Sequence, residues 1–181
     1  GQVFADLSRI DVAQLKQYAD PGVEIERARG AVRAWIDVQR GKVVGATADV
    51  ALAEVAVRVG GDLAPLQLAS LSGRLSGKFS ADSTVLATRA LAFDTADGIR
   101  WPGGNFTLQQ QHASGARPAS GELVADRLDL SALAQIAGRL PLGDGLHRAL
   151  ERHQPAGIVD RVKVAWQLPA NAPVRYQADG K

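Results

Sequence analysis

Hydrophobic and polar residues alternate with period two over most of this chain, the pattern of strands with one wet face. Ala28, Val32, Ala34, Ile36 and Val38 alternate with Arg29, Arg33, Asp37 and Gln39, and Arg40-Gly41-Lys42 reads as a turn. The next run places Ala46, Ala48, Val50 and Leu52 on one face, then changes phase to Ala53, Val55, Val57 and Val59. A phase change inside an unbroken run predicts a β-bulge near Leu52-Ala53. After Gly60-Gly61-Asp62, the residues Leu71, Gly73, Leu75, Gly77 and Phe79 share a face against Ser72, Arg74, Ser76 and Lys78. Val85, Ala87, Leu91 and Phe93 follow, interrupted by Arg89, and Asp94 to Gly98 reads as a turn. Ile99 to Gln110 predicts a strand broken by Trp101-Pro102-Gly103-Gly104, and Glu122 to Leu130 another. Ile158, Val162, Val164, Trp166 and Leu168 form the clearest late strand, opposite Arg161, Lys163 and Gln167.

Helical spacing is confined to about three short segments. Residues 11–19 place Val12, Leu15 and Ala19 on one side, with Asp11 as N-cap and Pro21-Gly22 as the stop. Residues 131–137 end at Gly138, and residues 144–153 carry Leu146, Ala149, Leu150 and His153 on one stripe. The strands are the unusual part. Several run for roughly 12–17 residues, where ordinary strands have ~5–6. They would reach roughly 40–55 Å and are joined by short turns, which predicts an antiparallel meander. No strand–helix–strand alternation occurs, so a doubly wound fold is not expected. The expected fold is mainly β: one long, curved, twisted antiparallel sheet, groove-like, with the helices against one face or end. Gly30, Gly73, Gly121 and Gly157 each stand near the start of an alternating run, where a glycine permits a bend or bulge.

Composition narrows the function. The chain has 181 residues, 46% hydrophobic and 22% charged, so a sizeable core is affordable and disorder is not expected. Aromatics are only 5%, which makes the apolar content aliphatic. Cysteine is absent, which removes disulfides, thiolate metal sites and a cysteine nucleophile. The net charge of +2 is scattered, which argues against nucleic acid as a partner. The chain opens Gly1-Gln2-Val3 and contains no methionine, so residues 1–181 read as one internal section of a larger protein. No apolar run approaches the ~18–20 residues that span a bilayer.

No catalytic constellation emerges. His147 and His153 stand six apart on one short helix, a spacing that cannot bring both to one metal, and His112 lies in a glutamine-rich strand end. No Gly-x-Ser-x-Gly elbow and no phosphate-binding glycine loop occurs. Asp94 and Asp97 supply too few carboxylates for a calcium loop. Asn105-Phe106-Thr107 matches the glycosylation pattern by composition alone. Arg27, Arg29, Arg33, Arg58, Arg74 and Arg161 recur on polar faces, where cross-strand ion pairs are the ordinary reading and a cationic rim for lipid headgroups the functional one. No cofactor or metal is called for.

The apolar faces carry the main expectation. Short helices cannot cover strands of this length. The sheet therefore closes into a sandwich or barrel, packs against other parts of its parent, or forms a trough for an apolar ligand. A wall of Ala, Val, Leu and Ile, almost without polar atoms, suits acyl chains, which leave any buried polar group unpaired. The wall residues by alternation are Val32, Ala34, Ile36, Val38, Val50, Leu52, Leu71, Leu75, Phe79, Val162, Val164 and Trp166, some of which are equally placed to pack under helices.

The order of motifs also resembles a known family. Ala28-Arg29-Gly30-Ala31-Val32-Arg33-Ala34-Trp35 precedes Ala51 to Val57, then Leu71-Ser72-Gly73-Arg74-Leu75. Leu91-Ala92-Phe93-Asp94-Thr95-Ala96-Asp97-Gly98-Ile99-Arg100-Trp101-Pro102 follows, and later Asp129-Leu130-Ser131-Ala132-Leu133 leads into Leu140-Pro141-Leu142. Pro155 to Val162 then precedes Trp166. This succession resembles the central region of the YhdP family, AsmA-like proteins of the Gram-negative envelope, over essentially the whole chain. The resemblance implies a periplasmic section of a protein held in the inner membrane by an N-terminal anchor. It implies a non-catalytic β-groove that conducts phospholipids towards the outer membrane, with acyl chains, flanking segments of the parent and the inner membrane as partners. The competing expectation is a structural or protein-interaction module of the envelope.

Overall fold

The computed structural model describes residues 1–11, 24–59, 63–101, 103–115, 117–140, 144–168 and 175–181. Its strands are β1 (Gln2–Asp11), β2 (Glu24–Gln39), β3 (Lys42–Arg58), β4 (Leu66–Phe79), β5 (Ser83–Thr95), β6 (Arg100–Trp101), β7 (Phe106–Gln111), β8 (Ala119–Asp129), β9 (Ile158–Leu168) and β10 (Arg175–Asp179). Between β8 and β9 lie α1 (Leu130–Ile136), a 3-10 turn (Ala137–Arg139) and α2 (Asp144–His153). All ten strands form one antiparallel sheet in nearly sequential order, with β6 pairing β5 at the side of the main path. The sheet is open: β1 and β10 are its two edges. It closes into neither a barrel nor a sandwich. β3 has 17 residues and β2 has 16, so the longest strands reach about 55 Å.

The helix expected at residues 11–19 lies outside the described residues, apart from Asp11, which ends β1. The other two helices stand where the spacing put them. Asp129 caps α1 by accepting a hydrogen bond from the Ala132 amide at 3.0 Å. The β2–β3 connection is a two-residue hairpin at Arg40-Gly41, both with positive φ (50° and 75°), which matches the twist of the flanking strands.

Irregularities line up across the strands. Glu54 (φ 52°) makes the phase change of β3, one residue beyond the expected Leu52-Ala53. Ala53 itself pairs with Arg29 and Ser70 on the polar face. Gly30 (φ 143°) pairs with Leu52, and Gly73 (φ 139°) pairs with Val50. The β4–β5 register slips between Ser72 and Arg74, beside Ala90 (φ 51°). Asn105 then accepts from the Ala90 amide at 2.9 Å and donates from Nδ2 to Asp126 at 2.7 Å. Across from Asp126, between the Ala125–Val162 and Arg127–Asp160 pairs, stands Arg161 (φ 53°). Bulged residues bend a strand and increase its twist, so this line from β2 to β9 is a crease running across the sheet. Of the glycines expected to bend strands, Gly30 and Gly73 lie on the crease. Gly121 serves another purpose: Trp166 lies flat over it and occupies the place a Cβ would take.

The core sits on one side of the crease. Ala28, Val55, Leu66, Leu68 and Ile136 are buried together, with Leu52, Leu71, Phe93 and Leu140 packed around them. Ile136 comes from α1, so this helix seals one end of the apolar face over β2 to β5. A Phe93–Trp101–Phe106 ring series, with centroids 5.8 and 5.6 Å apart, extends the packing sideways.

Candidate functional site

Directly paired residues of an antiparallel ladder project to the same side. That rule traces one apolar row through the whole sheet: Val3, Ile36, Ala46, Gly77, Leu86, Leu108, Leu123, Val164 and Ala178. The neighbouring row reads Ala5, Ala34, Ala48, Leu75, Thr88, Phe106, Ala125 and Val162. At ~4.8 Å per strand, the first row crosses about 40 Å without a charged side chain.

Register places all the sequence-derived wall residues on this face. Val32, Ala34, Ile36, Val38, Val50 and Leu75 are half-buried, and Phe79 is 38% exposed. Leu52 and Leu71 pack against the cluster under α1, and Val162 is buried. Val164 and Trp166 continue the face on β9 as half-buried residues. Sequence reasoning missed the contributions of β1 and of Leu86 and Leu108. On β5 it chose Val85 and Ala87, which instead pair with Lys78 and Ser76 on the polar face. The bulge at Ala90 inverts the phase, so Leu86 and Thr88 face the apolar side.

The face is covered unevenly. Near α1 it is sealed. Away from α1, Val3 (55%), Val43 (51%) and Leu86 (42%) remain exposed. Among the described residues, the polar groups of the open part are the hydroxyls of Thr84 and Thr88 and, towards the hairpin end, the side-chain amide of Gln110, which pairs with Thr84 and Gly121. The open part offers dispersion contacts along its length.

The opposite face is a charge ladder. Asp6, Arg33, Asp49, Arg74 and Arg89 stand in one cross-strand row. Arg33 meets Asp6 at 3.2 Å, and Arg74 grips Asp49 with two bonds of 2.6 and 2.8 Å. The Arg74 guanidinium, by hydrogen bond and by charge, holds the Asp49 carboxyl below the usual carboxylate range. Arg74 also lies 5.9 Å over the Trp35 ring, which touches Phe4. Arg29–Glu54 and Arg58–Glu26 repeat the theme. Cross-strand ion pairing therefore accounts for Arg29, Arg33, Arg58 and Arg74.

The remaining candidates are structural. His147 Nε2 donates to the carbonyls of Ala137 (2.7 Å) and Leu140 (3.1 Å), tying α2 to the 3-10 turn. His112 bridges Thr84 and the Ala81 carbonyl, both at 3.1 Å. Asp94 pairs with Arg100 and Asp97 with Arg139, so this turn is held by ion pairs. The amide of Asn105 is spent on Asp126, inside the crease. Among the described residues no His, Cys, Asp and Glu cluster suits a metal. A cleft of about 500 Å³ exists on the polar face, lined by side chains such as Gln109, Gln111, Glu122, Gln167 and Gln177. Its wall is rich in side-chain amides, with Gly121, Ala165 and Trp166 also lining it. Among the described residues no helix is long and apolar enough to cross a membrane.

Comparison with known proteins completes the picture. No curated protein and no solved structure matches the chain. A family model described as YhdP protein matches residues 1–181. With the whole length matched, the chain belongs to the YhdP family.

Proposed function

We propose that the apolar face is the wall of a lipid-conducting groove, a section of a non-catalytic conduit that passes phospholipids between the inner and outer membranes of a Gram-negative envelope. One observation carries this reading: an uninterrupted aliphatic row crosses nine strands and stays half-exposed where α1 does not reach. Membership of the YhdP family supports an envelope role and lipid traffic. The other partners in this reading are flanking segments of the parent chain and the inner membrane, reached through the parent's N-terminal anchor.

The physics of such a path is simple. Each methylene of a lipid tail gains about 0.8 kcal/mol by leaving water. Because successive strands offer the same aliphatic chemistry, that gain changes little from one strand to the next. A tail can shift across the sheet while keeping its contacts, and no covalent step is needed. Purification without detergent, followed by lipid extraction and mass spectrometry, tests the reading on the full parent chain. Copurifying phospholipid that is lost in Leu75→Asp and retained in Ser76→Asp is the expected result. Absence of lipid from the unsubstituted protein, or equal loss in both variants, contradicts it.

A second reading is favoured by the two open edges. β1 and β10 present strand edges able to pair with another chain, as a structural or protein-interaction module would use them. In that case partner binding survives Leu75→Asp.

A further inference from the structure

Glutamine gathers in one region of the polar face. By register Gln109 on β7 pairs with Glu122 on β8, Glu122 with Ala165 on β9, and Ala165 with Gln177 on β10. The next row on the same face runs Gln111, Ser120, Gln167 and Arg175. These two rows line the cleft of about 500 Å³, a size within the ~300–1,000 Å³ of small-ligand sites. Side-chain length explains the depression. Ser120 and Ala165 are short and stand diagonally on the two middle strands, while β7 and β10 supply long side chains at either side. Gly121 and Trp166, which pair between the two rows, complete the lining.

The amides here are uncommitted. Among the described residues Gln109, Gln111 and Gln167 make no side-chain hydrogen bond, and Gln177 donates to Asp179 at 3.3 Å. Elsewhere on this face the polar groups satisfy one another, as Arg33 does with Asp6 and Arg74 with Asp49. The charged groups of the lining are Glu122, which Lys163 meets at 2.9 Å, and Arg175. One anion and one cation leave the lining without net charge.

That chemistry selects a ligand. Each carboxamide presents a donor and an acceptor side by side. A sugar hydroxyl also donates and accepts, so several hydroxyls on one ring can satisfy both halves of neighbouring amides. A phosphate only accepts and leaves the amide oxygens unpaired, and an acyl chain leaves both halves unpaired. An extended peptide finds its ladder partner at the open β10 edge rather than on a sheet face.

We propose that this cleft binds a neutral, hydroxyl-rich sugar on the face opposite the apolar rows. The site is independent of the groove: sugar binding here neither requires nor excludes lipid on the other face.

Titration of the isotope-labelled protein with chitotetraose and with maltotetraose, followed by amide NMR shifts, tests it. At least one of them should shift the amides of β7 to β10. Binding should change less than about twofold between about 0.05 and 0.5 M salt, because the ligand is uncharged. The variant Q109A/Q111A/Q167A should weaken binding about tenfold or more, through loss of three amide partners. Ala165→Tyr, which fills the depression and keeps every amide, should do the same, so the outcome does not hang on one variant. Gln110→Ala, next in sequence to two of these amides but on the other face, should bind within about twofold of the unsubstituted protein. Absence of shifts with both sugars up to about 20 mM overturns the proposal. So does binding that survives both cleft variants, or equal loss in Gln110→Ala. N-acetyl-tetra-alanine amide is the peptide probe; if it shifts the same amides as strongly as the sugars, the cleft is a peptide site and the proposal falls.

Discussion

Replacing Gly73 by alanine should damage the sheet far more than a surface strand substitution. Gly73 has φ 139°, a backbone conformation that residues with a Cβ rarely adopt. Holding alanine there costs about 1–3 kcal/mol. A Cβ at this position would also stand 2.9 Å from the Leu91 Cα and 3.0 Å from the Ala90 carbonyl oxygen. Ordinary carbon contacts begin near ~3.5 Å, so β4 and β5 would have to part by about 0.6 Å at the crease. Both obstacles are backbone atoms, which cannot rotate away. Weakening one or two ladder hydrogen bonds adds roughly 1–2 kcal/mol. The sum, about 2–5 kcal/mol, is a large part of the ~5–15 kcal/mol that holds a domain folded. Gly41→Ala is the control. Gly41 also has positive φ (75°), but nothing lies within 4 Å of its Cβ position. It should cost only about 1 kcal/mol. Urea unfolding followed by far-UV circular dichroism measures both. If Gly73→Ala loses no more stability than Gly41→Ala, the close approach of β4 and β5 at the crease is wrong.

Three further outcomes follow from the same geometry. Ala90→Gly should be neutral or stabilising by up to about 1 kcal/mol, because φ 51° suits glycine, whereas Ala90→Val should cost about 1–2 kcal/mol; chemical denaturation of the pair checks the bulge. Asp49 should titrate below the ordinary carboxylate range in an NMR pH series, and Arg74→Gln should return it towards that range. Because the folded-state value is the depressed one, the stabilising effect of this pair is complete above the ordinary range and is lost as pH falls through the depressed value. Asp129→Ala should remove the α1 cap at a cost of about 1 kcal/mol and loosen the seal that Ile136 makes, read as faster amide exchange in α1.

The long strands β2, β3, β4 and β9 were legible because their small and aliphatic residues keep period two over long runs, with one change of phase in β3. The same regularity put the wall residues on one face without any structure. β1 was not legible: Val3, Ala5 and Leu7 alternate, but Phe4 on the opposite face, against Trp35, breaks the pattern. The crease was legible where glycine marks it and where the alternation of β3 changes phase beside Glu54. Ala90 and Arg161 adopt positive φ with side chains that give no local signal, and their conformation is imposed by pairing with neighbouring strands. That is also why Val85 and Ala87 looked inward in the sequence and stand outward in the fold. The sealing of Leu52 and Leu71 depends on where α1 lands, a long-range contact that alternation does not encode.

The most direct test of the groove is photo-crosslinking along one strand. A photoreactive amino acid at Leu75, on the apolar face, and at Ser76, on the polar face, samples adjacent residues of β4 in the protein within living cells. Phospholipid adducts at position 75 and none at position 76 are the predicted result. Adducts at neither position, or at both alike, would contradict a lipid path over this face.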